Sequence, residues 1–161
     1  ATAKACGQYL NSMLAVREAV SRGYDEGLLL NSDGTIAEGP GENLFIVRGG
    51  RVVTNDERSS ILLGVTRNVI IEIARDLGFE VEVTELRLED LMSADEAFFT
   101  GTATEVAPIR EVDGSMIGTG ARGPITAEIQ RVFFSATLGR IPAYRRWLRL
   151  VSPQPVEAAA L

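Results

Sequence analysis

The chain contains no histidine and a single cysteine. Without histidine, neither a Ser-His-Asp triad nor a Cys-His pair can be built from it. Histidine-dependent zinc sites are excluded in the same way, and no metal site is expected. The lone thiol, Cys6, has no internal partner for a disulfide, which points to a reducing, cytoplasmic setting. No apolar run approaches the roughly 18 residues needed to cross a bilayer, so no membrane is expected as a partner. Positive charge is scarce as well: 16 Lys and Arg against 22 Asp and Glu give a net charge of −6, with no basic stripe. Nucleic acid is therefore not an expected partner, because phosphate neutralisation dominates that kind of binding. Acid–base work falls to Lys, Glu, Asp, Tyr or a cofactor.

What is present suits one soluble globular domain: 161 residues, 45% hydrophobic and 24% charged, enough to bury a proper core. The chain opens Ala-Thr-Ala-Lys, with no initiator Met, basic n-region or apolar h-region. It thus reads as a cut within a longer protein or a processed piece, and not as a signal peptide. Ser152 to Leu161 (SPQPVEAAAL) is rich in Pro and Ala and is expected to fray, leaving a domain of residues 1–150 and a flexible tail of 151–161.

Periodicity predicts a first helix from about Gly7 to Arg22, with Leu10, Met13, Leu14 and Val20 on one side and Gly23 stopping it. Gly27 to Leu30 reads as a short strand, Asn31 to Gly34 as a turn, and Ile36 to Glu38 as a second strand. Leu44 to Val47 is a buried strand, Arg48 to Arg51 a hairpin turn, and Val52 to Thr54 its return. Val65-Thr66-Arg67 opens the most regular helix, with Val69, Ile70, Ile73, Ala74 and Leu77 at helical spacing and Gly78 closing it. Phe79 to Thr84 alternates as a half-buried strand. Leu88 to Ala94 suggests a short helix, and Glu96 to Thr100 a strand. Val106 to Ile109 and Val112 flank a further strand and a turn at Asp113-Gly114. Gly123 to Leu138 is a last amphipathic helix. Strands outnumber helices and are joined by hairpins, so the expected class is mixed α/β.

Four segments hold groups capable of chemistry. Lys4, near a chain end, is ordinarily a solvated charge, but a desolvated lysine has a lowered pKa and forms imines. Tyr9 is five residues on. Glu38 sits where a strand becomes a glycine-containing turn. It is either a charged turn residue or a carboxylate that keeps a pyridinium nitrogen protonated, with Gly39 and Gly41 allowing close approach of a flat cofactor. Thr66 is either an N-cap or, with the first amides of its helix, a phosphate ligand. Gly101 to Glu105 is an anion-binding strand end or merely a loop. Cys6 reads as a small buried hydrophobe in preference to a redox thiol. Arg145, Arg146 and Arg149 form a solvated helix face, with Trp147 as an anchor to the core or to a second subunit. Glu89-Asp90 and Asp95-Glu96 read as surface charges.

Taken in order, AKACGQYLNSMLA, EGPGENLFIV, GVTRNVIIEIA and TGTATEVAPIREVDG resemble the large C-terminal domain of the branched-chain aminotransferases, members of the fold-type IV pyridoxal-phosphate enzymes. The likeness runs from Ala1 to about Trp147. It implies pyridoxal 5'-phosphate as cofactor and Lys4 as the Schiff-base lysine that also shuttles the substrate proton. Tyr9 resembles the residue on the ring hydroxyl, and Glu38 the partner of the pyridine nitrogen. Val65 and Thr66 are similar to the phosphate cradle. Thr102 is similar to a residue contacting phosphate and, with the Ala103 amide, the substrate carboxylate. The implied reaction moves an amino group between leucine, isoleucine or valine and 2-oxoglutarate, so the partners are small amino and 2-oxo acids. The family's N-terminal small domain is absent from these residues, and with it much of the side-chain pocket. A homodimer is implied by resemblance. D-amino-acid aminotransferases and aminodeoxychorismate lyase share the same fold type, and a non-catalytic α/β binding domain is the alternative of a different class.

Overall fold

A computed structural model describes residues 4–149 and 151. The expected tail beyond Val151 lies outside the described residues. The first helix, α1 (Tyr9–Ser21), follows a 3-10 turn at Cys6–Gln8. Gly23, at φ 85°, ends it. Its apolar stripe is present but uncovered: Leu10, Met13, Leu14 and Val20 are all more than half exposed, and Ala19 is the buried residue of the helix. Cys6 is exposed, against the expectation of a buried thiol. It precedes the part of the helix that touches the core.

The centre is a hairpin, β1 (Asn43–Arg48) and β2 (Arg51–Thr54). Gly49 and Gly50 both take positive φ, 57° and 80°, as a two-residue hairpin turn matched to strand twist requires. Helix α2 (Val65–Asp76) then crosses over to β3 (Val81–Val83), which pairs with β2 in parallel. That crossover corrects the all-hairpin expectation: a long helical connection returns a strand to the same direction. A short helix α3 (Leu88–Met92) leads to β4 (Glu96–Gly101) and β5 (Glu105–Pro108), giving a five-stranded sheet in the order β3-β2-β1-β4-β5. A small hairpin, β6 (Glu111–Val112) with β7 (Ser115–Met116), precedes α4 (Pro124–Thr137).

Both faces of the sheet are covered, which is why β1 reads as a continuous apolar run. Phe45, Val47 and Val52 face α2 and α4, meeting Ile70, Ile73, Ile129 and Phe133. Phe45 stacks on Phe98 of β4 with ring centroids 5.1 Å apart. Leu44, Ile46 and Val53 face the other way, onto Ile36, Leu86, Leu91 and Ile117. Trp147, in a 3-10 helix at Pro142–Trp147, packs against the first cluster and stacks on Tyr144 at 4.4 Å. The core is thus one of the two anchorages foreseen for it.

Two further expectations need correction. Gly27 to Leu30 and Ile36 to Glu38 form no regular strands, only a bridge at Leu30 and Ile36. Leu29 donates its N–H to the Glu38 carbonyl (2.9 Å) yet accepts from the Ala37 N–H (2.8 Å), so one residue opposes two and the ladder bulges just before the site. Glu96 is not a surface charge. It is 7% exposed and accepts the Ile125 and Thr126 N–H groups at the start of α4, at 3.0 and 2.7 Å. A carboxylate at a helix N-terminus satisfies amides that have no helical partner.

Candidate active site

Beside the start of β1 lies a cleft of about 420 Å³, open to solvent. Lys4, Tyr9, Glu38, Val65, Thr66 and Thr102 all line it. The structure therefore brings together six of the seven residues singled out in the sequence. Ala103 sits at the exposed tip of the β4–β5 loop and is not among the lining residues. Lys4 is exposed, with Nζ 5.9 Å from the centre of the Tyr9 ring. Desolvation of Lys4 is thus not achieved within these residues.

Glu38 is the most constrained group. Its Oε2 accepts from Asn43 Nδ2 (3.0 Å) and from the Leu62 N–H (3.0 Å), while Oε1 has no hydrogen bond among the described residues. Asn43 goes on to donate to the Leu62 carbonyl (2.8 Å) and to accept from the Gly64 N–H (3.2 Å). One buried asparagine thereby ties the Glu38 turn to the loop that enters α2. A Cβ on Gly64 would overlap Asn43 Oδ1, so only glycine lets the two approach. Asn43 was not foreseen as a site residue. Its signal was a polar group opening an otherwise apolar strand, where an unpaired amide would be costly.

At the far end of the cleft α2 begins. Its N-cap is Gly64, not Thr66, which is second in the helix. Among the described residues no side chain caps this terminus, and no acidic residue lies in its first turn. Uncapped amides and the helix dipole suit an anion there. The third wall comes from β4 and its loop. Glu42, half buried, accepts the Thr104 hydroxyl, linking the Gly39–Glu42 turn to the loop that carries Thr102. Among the described residues no group of three His, Cys, Asp or Glu is placed to hold a metal.

Burial pushes the Glu38 and Glu42 carboxyls above their ordinary range, with the Leu62 N–H and the Thr104 hydroxyl respectively pulling the other way. A carboxyl whose folded pKa is raised favours the fold while protonated. Its contribution is intact below the reference value of 4.5 and is lost as pH rises through the folded value. Glu42→Gln, always neutral and nearly isosteric, is therefore expected to match the wild type near about pH 4 and to gain on it toward about pH 7. Urea midpoints at the two pH values check this, and a wild type that gains on the variant contradicts it.

A cleft with a tethered carboxylate, an uncapped helix start and a lysine at its rim has clear counterparts. The family model for amino-transferase class IV matches residues 1–112. The branched-chain-amino-acid aminotransferase of Pseudomonas aeruginosa is 47% identical over 149 residues, 92% of this chain and 48% of that protein. The Escherichia coli K12 enzyme of the same name is 46% identical, over 93% of this chain and 48% of that protein. Among solved structures, the branched-chain aminotransferase of the archaeon Thermoproteus uzoniensis, with norvaline, superposes with a TM-score of 0.88 at 47% identity, covering 92% of this chain and 49% of that one. The PLP form of the Thermobaculum terrenum enzyme gives 0.88 at 42% identity, covering 91% and 48%. The chain spans about half the length of the curated relatives it matches. Over that half, the mixed α/β fold, the cleft and the matched residues make this chain a member of the class IV aminotransferase family.

Proposed function

We propose that this chain is the pyridoxal-phosphate-binding large domain of a branched-chain amino-acid aminotransferase, acting between leucine, isoleucine or valine and 2-oxoglutarate. The observation that carries the reading is Glu38: a partly buried carboxylate held from one side by Asn43 and Leu62, with its second oxygen unbonded among the described residues, in a cleft that Lys4 and the start of α2 also line. Those residues fit the cofactor, since they offer an acceptor for a pyridinium N–H and uncapped amides for a phosphate. When bound, pyridoxal phosphate supplies an aldehyde that takes up the amino group and a ring that draws negative charge from the substrate α-carbon.

The chain's own groups divide the rest of the work. Lys4 Nζ attaches the cofactor and carries the proton at the substrate α-carbon. Glu38 holds the ring nitrogen protonated. Its Oε2 hydrogen bonds fix the direction of the carboxylate, and burial strengthens its pairing with a cation. Tyr9 holds the ring hydroxyl. Val65 and Thr66 hold the phosphate, and Thr102 with the Ala103 N–H receives the substrate carboxylate. The reading extends to a homodimer in the cytoplasm and to an N-terminal small domain of the same protein as partner. The uncovered α1 stripe and the half-length coverage of the relatives support that domain.

Cofactor titration tests the assignment. Glu38→Ala is expected to weaken retention of pyridoxal phosphate by about tenfold to a hundredfold, the scale of a lost charge-assisted hydrogen bond in a partly desolvated site. Unchanged retention would remove Glu38 from the site. With the N-terminal domain supplied, a panel of L-leucine, D-alanine and aminodeoxychorismate tests the substrate class. Turnover of D-alanine alone would sink the branched-chain reading.

A further inference from the structure

The roles assigned above leave one buried cation unused. Arg67, third in α2, is 4% exposed. Its Nη2 donates to the Asn55 carbonyl at 2.6 Å and its Nη1 to Asn68 Oδ1 at 3.3 Å, while Nε is buried with no acceptor. Among the described residues no carboxylate lies within ion-pair distance of it. The nearby Asp56 is engaged by Arg58, Nη2 to Oδ2 at 2.6 Å. A guanidinium does not shed its proton to escape burial. Arg67 also stands at the positive pole of its own helix, an arrangement that costs stability and that no first-turn acid offsets. Its Cβ would lie 3.7 Å from a Cβ placed on Gly64, so the stem packs directly beneath the helix cap that lines the cleft.

We infer that Arg67 is a positioning residue for an anion at the start of α2: it holds a fixed positive charge behind the helix amides and tunes that pole to a doubly charged phosphate. The inference rests on the reading above, which puts the cofactor's phosphate there. Asn55 and Asn68 accept from the guanidinium, and Arg67 is not among the residues lining the cleft, so it acts through space and through the placement of α2, without touching the ligand. A charge that weakens the empty fold becomes favourable once an anion sits at the pole, because the attraction is little screened in a partly buried setting.

The test compares the 161-residue chain with Arg67→Gln, which keeps a donor for Asn55, and with Arg67→Lys, which keeps the charge. Incorporation at Lys4 is read by mass after borohydride reduction, as a function of pyridoxal phosphate or of pyridoxal, which has no phosphate. Arg67→Gln is expected to weaken the response to pyridoxal phosphate by about tenfold and to leave that to pyridoxal within about twofold, with Arg67→Lys recovering most of the loss. Equal weakening for both ligands, or none for either, makes Arg67 an anchor only and overturns the inference. A second arm uses inorganic phosphate alone and reads the melting midpoint. The wild type and Arg67→Lys should rise with phosphate, and Arg67→Gln should not. Equal rises, no rise in any protein, or a folded Arg67→Lys without a rise would overturn it. If the wild type takes up no cofactor at Lys4, the functional reading fails instead, and the phosphate arm still decides Arg67.

Discussion

Replacing Lys4 with alanine is expected to remove the covalent capture of pyridoxal phosphate. The wild-type chain, mixed with cofactor and reduced with borohydride, should gain the mass of one cofactor and lose a visible absorbance band. Lys4→Ala should gain no mass at that site, a drop of about a hundredfold or more in stable incorporation. The expectation follows from chemistry and not from packing. Lys4 is an exposed residue that makes no contribution to either core cluster, so its removal leaves the fold intact. Of the residues lining the cleft it is the only one with a primary amine on its side chain. Phosphate-dependent binding through α2 should persist in the variant, detectable as a melting shift with inorganic phosphate. Modification that continues unabated in Lys4→Ala would move the attachment point elsewhere and overturn the assignment.

The largest loss of stability is expected from a position remote from the cleft. A Cβ at Gly123 would overlap the Glu96 carboxyl, which is buried and committed to the Ile125 and Thr126 amides. Gly123→Ala therefore drives the carboxylate off the start of α4 and leaves two amides and a charge to be rehoused. Lost capping is worth about 1–2 kcal/mol and overpacking about 1–3 kcal/mol, so a loss of about 3 kcal/mol is expected. For a chain of this size that lowers the melting midpoint by about 10 °C. Guanidinium unfolding checks the figure. A change below about 0.5 kcal/mol, the ordinary scatter of a surface substitution, would show that Glu96 can swing aside freely.

Periodicity carried much of the fold. Val69, Ile70, Ile73, Ala74 and Leu77 announced α2, and the glycine pair 49–50 announced the hairpin, because each signal lies within one element. The failures share a cause. Glu96 looked like one half of a surface acid pair, since nothing local reveals that a helix 29 residues later would place its amides against it. Arg67 read only as part of the opening of a helix, and its buried guanidinium is met by Asn55, just past the end of β2. The parallel pairing of β3 is also non-local, set by where α2 returns the chain. The site was legible in kind more than in geometry. At Glu38, Thr66 and Thr102 the turns and glycines left two readings open, and only the resemblance singled these residues out, whereas Asn43, which fastens the turn to the loop before α2, closed the glycine-containing stretch before the strand and carried no signal of its own.

The bond from Thr104 to Glu42 joins residues 62 apart, and Glu38 meets Leu62 across 24. The walls of the cleft are therefore drawn from segments widely separated along the chain, and one of these, the loop after β4, is made after the others. During synthesis from the N-terminus, the β1–β2 hairpin can close as soon as it clears the ribosome, but the cleft has no third wall until that loop emerges. Lys4 is made before every other residue that lines the cleft, and it waits for most of the domain before it has anything to hold. If Lys4 captures pyridoxal phosphate, capture should therefore begin only in nascent chains long enough to have released the loop after β4, and borohydride trapping on stalled nascent chains of increasing length would time it.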